Sequence, residues 1–208
     1  MKQQRFSNLN DYSRSIKNKI NKKKLKNKDF SLICNDCNGG VILSDLGVRF
    51  NSPFVNLWIM PKDYLRMLSD LQNYLNEELE FINDETYSYP VGLLKDVHIY
   101  FQHYPSQKEA FEKWNIRKER IRYDNLFILF NDRNGCTLDD LLCFDSLPYK
   151  NKAVFLHKPI PAIKSGVFIR GFEEKESVGI CLDFKGKWSG KRYLDDFKYI
   201  DWFNSNGL

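Results

Sequence analysis

The stretch Leu32-Ile33-Cys34-Asn35-Asp36-Cys37-Asn38-Gly39-Gly40 runs from apolar residues into a polar, glycine-rich turn. A second stretch, Leu129-Phe130-Asn131-Asp132-Arg133-Asn134-Gly135, does the same, and the two share Asn-Asp-x-Asn-Gly after an apolar run. Short apolar runs bounded by turn residues read as buried strands. Asn-Gly supplies the positive φ that tight turns require, so both copies could be ordinary turns. Open α/β sheets, however, hold ligands at the carboxyl ends of their strands, which makes these same loops the first place to seek a site.

Outward from these two anchors, apolar runs alternate with helical patterns, as in a sheet covered by helices. Strands are expected at residues 30–34, 55–59, 97–101, 126–130, 153–156, 167–169 and 178–184. A short apolar helix is expected over residues 41–46. Pro61 opens another, in which Tyr64, Met67, Leu68, Leu71, Leu75 and Leu79 fall on one stripe at a 3.6-residue period. Ser106 and Glu109 form a capping box before a helix over about 107–121. Thr137 with Asp140 marks a further helix start, and residues 193–203 a last amphipathic segment.

Charge is unevenly placed. Residues 1–28 carry ten Lys or Arg against Asp11 alone, a charge of +9, whereas residues 29–208 hold 22 basic and 26 acidic side chains. The body is therefore close to −4, with no general attraction for nucleic acid. The chain reads as a basic arm, 1–28, before a single α/β domain, 29–208. Within the arm Tyr12, Ile16 and Ile20 recur at four-residue spacing between lysines, which fits a basic amphipathic helix either touching anionic lipid or packed on the body. The basic amino terminus lacks the apolar segment of a secretory signal, so a cytoplasmic protein, peripheral at the inner face of the membrane if the arm binds lipid, is expected. Five scattered cysteines suggest neither a disulfide framework nor a four-thiolate zinc site.

Three residues carry the expected chemistry. Cys37, between a strand and a helix start, would meet backbone amides and the positive end of a helix dipole, a setting that favours thiolate, while Asp36 beside it works the other way. His103, after the strand at 97–101, is either a base at the same edge or a histidine closing a strand. Asp132 would orient it, completing a nucleophile, base and orienter set. A free cysteine is equally a common core residue, and Cys34-x-x-Cys37 has redox spacing. On the helix over 107–121, Trp114 and Arg117 share a stripe. Arg117, with Arg120, either pairs with a buried carboxylate or faces an anionic ligand. No His, Cys and carboxylate spacing reads as a metal site, although Asp36 and Asp132 together could hold a hard cation. The basic loop 185–192, bearing Trp188, is either solvated or offers an aromatic face to a ring.

Asn35-Asp36-Cys37-Asn38-Gly39-Gly40, Tyr89-Pro90-Val91-Gly92, His103-Tyr104, Trp114 with Arg117 and Arg120, Asp124-Asn125, Asp132-Arg133 and Leu147-Pro148-Tyr149-Lys150-Asn151-Lys152 occur in that order. Together they resemble a bacterial family of unknown activity labelled exopolysaccharide biosynthesis protein, over nearly the whole chain from about Phe30 to beyond Phe155. The resemblance implies a three-layer α/β/α fold, here with a mixed, mostly parallel sheet, and an association with capsule and surface-glycan gene clusters. It brings no catalytic residues. The chain departs from that pattern at Cys34, Asp36 and Asn38, where Ser, Asn and a bulky residue are usual. A looser likeness joins it to polysaccharide acetyltransferases that place Asn-Cys after their first strand.

These readings converge on an acyltransferase acting on a surface glycan or its precursor. Cys37 would be its nucleophile or oxyanion-site residue and His103 its base, with Asn35, Asp36, Asn38, Gly39, Gly40, Trp114, Arg117, Arg120 and Arg133 about the ligand. The donor would be an acyl-coenzyme A. Two alternatives stand beside it: a glycosyltransferase using a nucleotide sugar, and a non-catalytic scaffold that brings polysaccharide assembly enzymes to an anionic membrane surface.

Overall fold

A computed structural model describes residues 2–205. Four strands, β1 (Ser31–Cys34), β5 (Leu126–Asn131), β6 (Asn151–Leu156) and β7 (Gly166–Phe168), form an all-parallel sheet in the order β1-β5-β6-β7. A separate antiparallel sheet joins β2 (Leu79–Ile82), β3 (Val91–Leu94) and β4 (Val97–Tyr100). The fold is α/β as expected, but its parallel and antiparallel strands lie in two sheets, not one mixed sheet.

The alternation of strand side chains divides the core in two. Ile33, Ile128, Phe130, Val154 and Leu156 point to one face, where they meet α3 (Pro61–Ser69), α4 (Leu71–Asn76), α5 (Gln107–Lys118), α6 (Leu138–Ser146) and the antiparallel sheet. Leu32, Cys34, Phe127, Leu129, Ala153 and Phe155 point to the other, beneath α2 (Cys37–Leu46) and α7 (Tyr199–Asn204). Strands buried on both faces read as continuous apolar runs, which is why β1 and β5 were visible in the sequence.

Several expectations are corrected. The helix expected across 61–79 breaks at Asp70, whose φ of −148° and ψ of 47° leave the helical region. There the Ser69 hydroxyl turns back to the Arg66 carbonyl, an example of short polar side chains competing with the helix. Leu79 therefore begins β2 instead of extending the helical stripe. Residues 55–59 form no strand: Asn56 has φ of 60°, and only Trp58 pairs, as a single bridge to Tyr100. Residues 178–184 likewise contribute only Phe184 to a bridge, with Arg192. The β3–β4 hairpin turns through Lys95 and Asp96, with Lys95 at φ of 60°, and so lacked the Asn-Gly signature that announces such turns. The last segment divides into a 3₁₀ turn, Tyr193–Asp196, and α7.

The basic arm is the helix α1 (Lys2–Lys24), and it is docked on the body through polar groups. Arg14, 3% exposed, bonds Asp45 at 2.6 Å and Asp195 at 2.9 Å. Lys17 adds a contact to Asp195 at 2.7 Å, and Asn18 one to Asp45 at 2.8 Å. The Asn10 side-chain oxygen Oδ1 accepts from the amides of Trp188 and Gly190, so the basic loop 185–192 is fastened to this helix. Below it, Asn204 accepts from the amides of Lys26 and Asn27 and donates to the Lys24 carbonyl, while Phe203 stacks on Phe30 at 4.3 Å. The buried ion pairs specify this docking more than they stabilise it, because desolvation offsets much of their attraction.

Candidate functional site

Because β1 and β5 are parallel neighbours, their following loops emerge side by side. The Asn131 side-chain amide donates to the Asn35 oxygen and to the Asp36 carboxylate, both at 3.0 Å. Tyr64 supports both strand ends from below, its hydroxyl bonding the carbonyls of Ile33 and Leu129. Above this edge lies a cleft of about 570 Å³ lined by Asp36, Cys37, Asn38, Asn131, Arg133 and Asn134 from the two loops. Its opposite wall is Trp58, Tyr89, Gln102 and His103, and Ile180, Cys181 and Leu182 close the third side.

Asp36 caps α2, accepting from the Asn38 amide at 2.9 Å and the Asn38 side chain at 2.7 Å, with the Cys34 thiol also donating, at 3.1 Å. Burial raises its pKa, against the pull of those donors and of Arg133. Helix α2 begins earlier than the glycine pair suggested, so Cys37 is its first residue and the glycines lie within it. Gly39 is required there by space: a Cβ would stand 2.6 Å from that of Cys34. The surroundings of Cys37 do not favour the thiolate. Its pKa is pushed up to about 11, first by burial and then by Asp36, with Arg133 opposing. The thiol lies 3.9 Å from the Leu57 carbonyl, a weak bond that also suits the protonated form.

The expected relay of Cys37, His103 and Asp132 is not assembled. Asp132 turns away from the cleft and takes the His157 amide at 2.8 Å, the His157 ring Nδ1 at 2.5 Å and the Val178 amide at 2.7 Å. It ties three remote segments together, and its partner is His157, whose sequence neighbours gave no hint of an acid. With both oxygens so engaged, Asp132 cannot share a cation with Asp36. No group of three or more His, Cys, Asp or Glu suited to a metal occurs among the described residues. His103 does line the cleft. It lies beyond β4 in an exposed turn, not on the buried face of Val97 and Ile99, and its backbone is held by the Asn56 carbonyl.

Other expected ligand residues divide as follows. Asn35 is buried behind the cleft, bonded to Asn131, and Gly39 and Gly40 are packing positions within α2, against Cys34 and Val55. Trp114 is a core residue, 1% exposed, packed edge-on to Phe54 and Phe101. Arg117 meets neither a buried carboxylate nor the cleft: it donates to the Tyr104 hydroxyl at 2.7 Å and lies over the Phe50 ring. With Arg120 it borders a separate shallow groove.

Sequence reasoning missed the aromatic wall. Trp58 stacks on Tyr100 at 3.8 Å with the rings nearly parallel, and its indole N–H donates to the Tyr89 hydroxyl at 3.2 Å. Tyr87 packs edge-on to both Trp58 and Tyr100. The resemblance included Tyr89, but nothing local marked Trp58 as its partner.

The architecture and this edge define an α/β protein with a polar cleft at the carboxyl ends of adjacent parallel strands. Residues 8–204 match the family described as "Domain of unknown function (DUF1919)", and the chain belongs to it. An uncharacterized protein of Haemophilus influenzae is 48% identical over 198 residues, covering 95% of each chain.

Proposed function

We propose that the cleft binds a hydroxyl-rich substrate, a surface glycan or its precursor, and that the protein transfers a group to it. The observation that supports this is the pairing of the Trp58 wall with the exposed side-chain amides of Gln102 and Asn134, beside one carboxylate and one guanidinium. Aromatic faces bind the apolar side of a sugar ring, and amides match its hydroxyls as both donors and acceptors.

His103 is the base. Exposed, and with no side-chain partner on its ring among the described residues, it takes the proton of an acceptor hydroxyl as that oxygen attacks the carbonyl of an acyl thioester. Coenzyme A leaves as thiolate and recovers the proton from the imidazolium. Arg133 holds an anionic group of donor or acceptor. Cys37 lines the site with its pKa pushed up to about 11, which favours direct transfer over an acyl-cysteine.

A screen of acyl-coenzyme A species and nucleotide sugars by thermal shift names the donor, since a ligand bound to the native state raises Tm. His103→Ala should abolish transfer without changing Tm, Trp58→Ala should raise KM for the glycan, and Cys37→Ala should retain turnover. Stabilisation by nucleotide sugars alone would replace acyl by glycosyl transfer, and stabilisation by neither class, with no glycan binding, would end the proposal.

A further inference from the structure

Helix α1 is amphipathic in the inverted sense. Its inward face is polar, built from Asn10, Arg14, Asn18 and Asn21, whereas Leu9, Tyr12, Ile16 and Ile20 are 41%, 68%, 43% and 48% exposed. At 100° per residue these four fall on one stripe opposite the docked face, with Lys19 and Lys23 on the same outer surface. A contiguous apolar stripe rimmed by polar residues on an otherwise well-packed protein marks an interaction surface.

Cations gather beside this stripe, although Asp11 and Asp45 line the groove that holds Lys19 and Lys22. On the flank of α1, Lys22 meets Lys28 and Arg49 in a groove that also holds Leu46, Gly47 and Val48. Through Val48 and Arg49 this groove continues to Lys113, Arg117 and Arg120. Neither groove is lined by an acid. Six cations thus extend from the helix across the body, although residues 29–208 are acidic as a whole.

We propose that α1 lies on an anionic lipid bilayer, with Leu9, Tyr12, Ile16 and Ile20 entering the headgroup boundary and the flanking cations meeting the phosphates. No helix among the described residues is long and apolar enough to cross a membrane, and an interfacial helix need not be. A second copy of the chain is the poorer occupant. Pairing two such helices would bring together two arms of +9 each. Nucleic acid would engage the cations but leave the aliphatic stripe exposed. This inference is independent of what the cleft binds.

The test is cosedimentation of the full chain with vesicles of phosphatidylcholine alone and of phosphatidylcholine containing phosphatidylglycerol. Binding is expected to the anionic vesicles only, and to weaken with salt. Lys19→Glu and Lys23→Glu should each weaken it by about fivefold or more, since one basic residue near such a surface is worth about that factor. The pair Ile16→Glu with Ile20→Glu should remove it. Their side chains point to solvent, so an unchanged melting curve verifies that the fold persists. Absence of binding at low salt, or equal binding to both vesicle types, would overturn the proposal. So would concentration-dependent self-association abolished by the same isoleucine pair, or RNA binding that the pair leaves intact while vesicles are ignored.

Discussion

The two Asn-Asp-x-Asn-Gly segments share four of five residues and almost nothing of their conformations. After β1 the segment opens a helix: Asp36 is its cap, Cys37 its first residue, and Gly39 an interior position chosen for closeness to Cys34. After β5 it makes a turn in which Asn134 and Gly135 have φ of 58° and 75°. Asp36 keeps its carboxylate at the cleft, whereas Asp132 carries its own to the opposite side, onto His157 and Val178. Local sequence proposed the loops; the identity of the neighbouring strand and the chain arriving from 157 and 178 decided what each became. The lesson is that a repeated motif fixes the position of a site more securely than the role of any residue in it.

Substitutions can sharpen or break this contrast. The largest effect is expected at Asp132→Ala, which strands the amides of His157 and Val178 in the core. A loss of about 4 kcal/mol, read by urea denaturation, follows from removing several charge-assisted bonds at once. Asp36→Ala should cost clearly less if the two carboxylates differ as described, and equal losses would remove the distinction.

Gly39→Ala should cost about 3 kcal/mol, because α2 must move from β1 to admit the methyl group. At Gly135 nothing lies within 4 Å of a would-be Cβ, so Gly135→Ala incurs only the left-handed conformation, about 1 kcal/mol. Reversal of that order would show that the two glycines had been assigned the wrong reasons.

Asp36→Asn keeps the cap to the Asn38 amide, since asparagine also caps helices, and loses the bonds from the Asn38 and Asn131 side-chain amides, about 1–2 kcal/mol. Its signature is chemical. Removing the negative charge lowers the Cys37 pKa from about 11, but burial, the larger cause, keeps it above the ordinary value of 9. The pH profile of alkylation, followed at Cys37 by peptide mass, should therefore move to lower pH without reaching neutrality. An unmoved profile would show that the cap carboxylate does not govern the thiol.

Where local pattern sufficed, the sequence was legible. β1, β5 and β6 are apolar runs, α5 begins at Ser106, whose side chain accepts from the Glu109 amide, and α6 at the Thr137 and Asp140 capping box. Where distant contacts chose the outcome, it was not. Leu79 satisfies a helical stripe and a strand equally well, and only pairing with Leu94 selects the strand. His157 lies beside Lys158 and Pro159 in sequence, and its acid arrives from β5. Cys37, His103 and Asp132 were expected at one edge; Cys37 and His103 do line one cleft, with Arg133, whereas Asp132 turns to His157, and Trp114, Arg117 and Arg120 face elsewhere because amphipathic spacing reports burial and not which cavity lies beneath.

The clasp between Asn204 and the segment after α1 has a temporal consequence. The seat of α1 is complete only when residues 185–204 have joined Asp45, since Asp195, the 185–192 loop and Asn204 all belong to that seat. While residues 185–204 are being made, therefore, the most cationic part of the chain has only the Asp45 side of its seat, and α7 completes the rest.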